Sequence, residues 1–146
     1  MNGKAFFDTN VLVYAIAEND PRKIRARELL AVGGTISVQV LNEFVSVVRR
    51  KVKMPWDDVR ATLQWILLLC PEAVTVTIKT HEKAVGIAER YGYRIYDSLI
   101  VASALEAKCE LLYSEDLQDG RVIDGQLIIR NPFRTPNQPP SSFVSE

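Results

Sequence analysis

The sequence predicts an α/β fold, a three-layer α/β/α sandwich around a central parallel sheet of four to five strands. Three observations predict it. Short apolar or β-branched segments recur along the 146 residues, and segments with helical periodicity separate them one or two at a time. The composition, 47% hydrophobic and 25% charged, is that of an ordinary globular chain with enough apolar material for one core.

The elements follow in order. "AFFDT" reads as a buried strand ending at Asp8, with the turn-prone Asp8-Thr9-Asn10 leading into a helix from about Val11 to Ala17. Asp20 and Pro21 suit the N-terminus of a second helix that runs to about Val32, where Gly33-Gly34 stops it. "TISV" is a second strand. From Gln39 to Lys51, Val40, Leu41, Phe44, Val45 and Val48 recur at helical spacing, with Glu43 on the first turns. A helix from near Pro55 carries Asp57 and Asp58 in its first turn and ends before Pro71. "AVTVT" at 73–77 alternates β-branched residues as a third strand. A helix from Lys79 or Thr80 ends at Gly92, and an apolar helix from about Tyr96 to Lys108 starts with Asp97 and Ser98. "ELLYS" and "QLIIR" are the fourth and fifth strands, with "QDGRVIDG" as the turn between them. Residues 1–133 are expected to form a single domain, and the Pro/Ser-rich tail 134–146 to be disordered.

Several classes are excluded. Cys70 and Cys109 have neither paired spacing nor neighbouring histidines, against a disulfide framework or a zinc site and in favour of a cytoplasmic protein. No apolar run approaches the roughly 20 residues a membrane helix needs. Eighteen basic and eighteen acidic side chains cancel, so bulk charge does not hold nucleic acid. Two local basic patches remain, "RKIRAR" at 22–27 and "RRKVK" at 49–53; each is either a solvated helix face or a phosphate contact. There is no G-x-G-x-x-G or P-loop, and no Ser/His/Asp triad; the lone His81 falls mid-helix on the expected surface.

What stands out is the placement of acids. In open α/β sheets ligands lie beyond the carboxyl ends of the strands. Asp8 closes the first strand, Asp116 follows the fourth, Asp97 opens a helix, and Glu43 enters from the helix after the second strand. Taken separately, Asp8 and Asp97 could be helix caps, Glu43 a partner of Arg49 or Lys51, and Asp116 a turn residue. Taken together they could converge on one rim. Clustered carboxylates raise one another's pKa unless a divalent cation keeps them ionised, and an all-oxygen set favours Mg²⁺ or Mn²⁺ over zinc. Metal-assisted phosphodiester hydrolysis is the chemistry such a cluster suits.

At these residues the chain resembles the PIN domain family, in particular the VapC-type toxins of toxin-antitoxin pairs. "FFDTNVLVYA" resembles the first motif and points to Asp8, with Thr9 and Asn10 beside it. "SVQVLNEF" resembles the second and supplies Glu43; "YRIYDSLIVASA" resembles the third and supplies Asp97. "LLYSEDLQDG" resembles the fourth, with Ser114 as its small hydroxyl residue and Asp116 as its acid. Glu115 and Asp119 lie close to Asp116, Leu117 stands where the family has an aromatic, and Asp119 is the spare acid. The match runs over about residues 4–130.

The resemblance implies an endoribonuclease that cuts RNA with Mg²⁺ or Mn²⁺ bound by Asp8, Asp97, Asp116 and Glu43. Thr9, Asn10 and Ser114 would support those ligands. It also implies a homodimer and a cognate antitoxin protein. Arg22, Arg25, Arg49, Arg50 and Lys53 are the candidates for recruiting RNA. Two other readings are a catalytically silent PIN-like module that binds RNA or protein, and a phosphatase with Asp8 as nucleophile. The phosphatase of the haloacid dehalogenase type would want a second aspartate where Asn10 stands.

Overall fold

The computed structural model describes residues 4–134. Of the expected tail only Arg134 falls among them, and the rest lies outside the described residues. The elements are β1 Ala5–Phe7, α1 Thr9–Ile16, α2 Arg22–Val32, β2 Thr35–Ser37, α3 Val38–Val47, α4 Trp56–Leu69, β3 Glu72–Val74, α5 Ile78–Tyr91, α6 Ile95–Glu106, β4 Leu111–Tyr113, β5 Val122–Ile123 and β6 Leu127–Arg130. One six-stranded sheet runs in the order β3-β2-β1-β4-β6-β5, with helices on both of its faces.

All neighbouring pairs are parallel except β5 with β6. That sixth strand corrects the sequence reading, which took "QDGRVIDG" as turn throughout. Val122–Ile123 is too short to alternate visibly between Gly120 and Gly125, yet Ile123 is fully buried and pairs with Leu127.

The core explains the rest. Phe6, Phe7, Ile36, Leu112 and Ile129 bring the strand interiors to zero or near-zero exposure. Such strands, buried on both faces, are continuous apolar runs rather than alternating ones. Helix α6 is buried from Ser98 to Leu105 with no polar face, as expected of a helix packed inside the fold. Gly34 permits close packing of β1 beside β2, since a Cβ there would lie 2.6 Å from the Phe7 ring.

Local bonding shifts three boundaries. Strand β3 stops at Val74 instead of reaching Thr77, because Thr77 is taken as the cap of α5: its hydroxyl accepts from Thr80 N at 3.2 Å while Thr80 Oγ1 accepts from Thr77 N at 3.1 Å. Helix α2 begins after Pro21, and Asp20 Oδ1 accepts from Arg22 N at 2.9 Å. The end of α3 is not α-helical as expected; Val48–Val52 forms a π-helical turn, closed by Lys53 at φ 58° and by Met54 N donating to Val48 O at 3.0 Å.

Candidate active site

From the central strand β1 the chain passes first to β2 and β3 on one side, and only later to β4 on the other. The carboxyl ends of β1 and β4 therefore form the switch point at which parallel sheets open a crevice. Asp8 and Ser114 stand level there, one residue beyond the paired Phe7 and Tyr113, and Asp8 N donates to Tyr113 O at 3.0 Å.

Asp8 is buried and does two jobs. Its Oδ1 accepts from Thr9 N at 2.7 Å as the N-cap of α1, and its Oδ2 accepts from the Ser114 hydroxyl at 2.7 Å. Burial nonetheless pushes its carboxyl up to about 6; those two hydrogen bonds pull it down, and the charges of Asp116 and Asp97 push it up again. Ser114 Oγ also accepts from Asp116 N at 3.2 Å, so one hydroxyl ties both acid-bearing segments together.

Asn10 links them a second time. Its amide donates to Asp116 Oδ2 at 3.3 Å, and its carbonyl accepts from Glu115 N at 3.4 Å. Burial raises the Asp116 carboxyl, the Asn10 bond offsets part of that, and the Glu115 and Asp97 charges add to it. Asp97 sits in the first turn of α6 with Arg94 Nε 3.4 Å from its Oδ2; Arg94, not Asp97, is the cap residue.

Glu43 has no ion pair to Arg49 or Lys51. Its Oε1 is buried with no hydrogen-bond partner, and burial, with Asp8 and Asp97 adding their charge, pushes its carboxyl up to about 7. Thr9 Oγ1 is likewise buried and unpartnered. Buried polar atoms without partners cost roughly 1–3 kcal/mol each, and such atoms need a partner from somewhere.

Asp8, Glu43, Asp97 and Asp116 line a single cleft of about 380 Å³, together with Thr9 and Asn10. Four chain segments thus deliver their carboxylates to one place. Among the described residues no three of these groups, as they stand, close on a common point tightly enough to hold an ion unaided. Burial raises the carboxyls of Asp8, Glu43 and Asp116 first, and the mutual repulsion of the unscreened carboxylates adds to it. The donor set, all oxygen with two atoms lacking any partner, fits a hard dication completed by water.

The remaining candidates are placed differently. Asp119 accepts from Asn131 N at 2.9 Å and lies 3.4 Å from Arg134, outside the cleft. Glu115 is buried behind it, accepting from the Tyr14 hydroxyl and lying 3.2 Å from Arg22. Arg22 is also bound to Asp20 at 2.8 Å, and its guanidinium stacks 4.0 Å from the Tyr14 ring centre. Tyr14, Ser46 and Val47 line the cleft and went unnoticed in the sequence. Their spacing held the signal, since Tyr14 is four residues from Asn10 and Val47 is four from Glu43, on the same helical faces.

The central sheet, its switch point and an acid-lined cleft at that point define a class: an open, mostly parallel α/β domain with a carboxylate cluster at the position where such sheets bind ligands. The family model of the PIN domain matches residues 5–122, and the chain belongs to that family. No curated protein sequence matches it. Solved structures do. A toxin-antitoxin complex from Klebsiella pneumoniae aligns with a TM-score of 0.68 at 19% identity, over 90% of this chain and 100% of that one. The sarcin-ricin-loop-cleaving toxin VapC20 of Mycobacterium tuberculosis gives 0.62 at 20% identity, over 76% and 88%. VapBC2 of Rickettsia felis, bound to a promoter DNA fragment, gives 0.62 at 24%, over 86% and 96%. At these identities the likeness is one of fold. Among the described residues no helix is long and apolar enough to cross a membrane.

Proposed function

We infer that the protein is a metal-dependent endoribonuclease, the toxin half of a toxin-antitoxin pair. The observation that carries this is the convergence of Asp8, Glu43, Asp97 and Asp116 on one cleft with Glu43 Oε1 left without a partner in the protein. Membership of the PIN family and structural likeness to toxins, one of which is described as cleaving the sarcin-ricin loop, support the substrate. Neighbours that are toxin-antitoxin complexes support a protein partner. A homodimer is part of the same reading.

Asp8, Asp97, Asp116 and Glu43 would hold Mg²⁺ or Mn²⁺. Bound there, such an ion supplies a water acidified toward neutrality and positive charge opposite the phosphoryl oxygens in the transition state. The chain's own residues prepare the place. Ser114 and the Thr9 amide fix both oxygens of Asp8, and Asn10 holds Asp116 against it. Helix α6 carries Asp97 in its first turn, at the positive end of the helix dipole. Glu43 keeps an oxygen free for the ion or for the attacking water.

Total cellular RNA incubated with the protein tests this. Discrete fragments are expected with Mg²⁺ or Mn²⁺, none with a chelator and none with Asp8→Asn. A wild-type protein that binds RNA in metal without cutting it would instead be the silent binding module.

A further inference from the structure

An acid-lined cleft repels RNA except where metal charge compensates, so the substrate's flanking phosphates need cations of their own. Most of the nearby basic residues are committed elsewhere. Arg22 is held between Asp20 and Glu115, and Arg27 donates to Ala15 O at 2.8 Å and lies over Trp65. Arg25 is 3.7 Å from Glu28, and Arg49 donates to Met54 O at 2.8 Å while stacking 4.3 Å from the Trp56 ring centre.

Arg50 and Lys51 differ. Both line the cleft, both are exposed, and neither has a hydrogen bond or ion pair among the described residues. Their position follows from one helix face. Glu43, Ser46, Val47, Arg50 and Lys51 stand at successive three- and four-residue spacings, and all five line the cleft. The face begins with a carboxylate of the acid cluster and ends in two cations on the π-helical turn. Seven residues of helix advance roughly 10 Å, more than one phosphate group can bridge.

We propose that Arg50 and Lys51 clamp a backbone phosphate of the RNA next to the one being cut, and so set where the strand lies over the carboxylates. This rests on the nuclease reading and adds a positioning role to residues that touch no metal. A guanidinium beside an ammonium suits this task, the first by bidentate bonding and the second as an adaptable point charge. A basic partner-protein segment is disfavoured at the same spot by like charge.

The test uses the full chain carrying Asp97→Asn, so that RNA stays intact, and a fluorescently labelled oligouridylate as probe. Adding Arg50→Gln with Lys51→Gln should weaken binding about tenfold and lower the salt slope of log Kd by about 0.7 for each phosphate no longer neutralised. In the otherwise wild-type chain the same pair should raise KM for the cut RNA far more than it lowers kcat, with the melting temperature unchanged. Lys79→Gln with Lys83→Gln, exposed on α5 and outside the cleft, should alter none of these. Unchanged RNA affinity and slope would overturn the clamp while leaving the nuclease reading standing, as would a loss confined to partner-protein binding. A protein that binds no RNA at all would remove both.

Discussion

Glu115 and Asp116 are neighbours on one loop, and the protein treats their charges in opposite ways. Glu115 is buried and answered from within: the Tyr14 hydroxyl donates to it, and Arg22, itself braced by Asp20, stands 3.2 Å away. Asp116 receives one weak bond from Asn10; burial and then the charges of Glu115 and Asp97 raise its pKa, and the Arg94 charge only partly offsets them. A charge compensated by the chain is scaffold. A charge in a cleft crowded by other carboxylates awaits something from outside.

The largest effect should come from the acids that line the cleft. Asp97→Asn is expected to lower metal-dependent RNA cleavage more than ~100-fold with the fold intact by circular dichroism, because it removes a carboxylate whose role is outside the scaffold. Asp119→Asn, whose partners are Asn131 and Arg134, should cleave within about twofold of wild type by the same assay. Equal losses in the two would erase the distinction between cleft and loop.

The compensated set should respond in stability instead. Glu115→Gln removes one of the two carboxylates paired with Arg22 and is expected to destabilise the chain by about 2 kcal/mol in urea unfolding. Its cleavage rate per folded molecule should hold. Should the variant lose activity and keep stability, Glu115 belongs with the acids of the cleft.

A smaller effect has the opposite sign. Asp8, at about 6, and Glu43, at about 7, are harder to ionise folded than unfolded, mainly through burial. The folded chain therefore binds the extra protons. The stability this gives is complete below the ordinary carboxyl range near 4 and is lost as pH climbs through about 6 and about 7. In chelator, the melting temperature should be roughly 5 °C higher at pH 5 than at pH 8, and added Mn²⁺ should shrink that gap. Glu43→Gln should stabilise the metal-free chain by about 1 kcal/mol at pH 8 while abolishing the Mn²⁺ response. A flat profile in chelator would mean that the carboxylates are not in competition.

Much of this was legible in the sequence because it depends on local order. An acid directly after an apolar strand or opening an apolar helix marks the sheet's carboxyl edge, as Asp8, Asp116 and Asp97 do, and Glu43 comes from the helix after the second strand. What stayed hidden depends on partners remote in the chain. Val122–Ile123 becomes a strand only by pairing with β6, and Thr77 leaves a strand-like run because Thr80 closes a cap. The bland readings were also partly right: Asp8 does cap α1 while facing the cluster. Asp119 and Glu115 could not be told from Asp116 by spacing, since it is Asn131 and Arg134 that draw away the first, and Arg22 and Tyr14 the second.

The order of strands has one further consequence, for biosynthesis. β1 emerges first from the ribosome but lies in the middle of the sheet, and its second flank is filled only when β4 arrives more than a hundred residues later. Until then Asp8 has neither Ser114 to hold it nor Asp116 beside it. A chain cut short before β4 would thus have no assembled cleft, because Asp8 would lack its Ser114 partner and Asp116 would be missing.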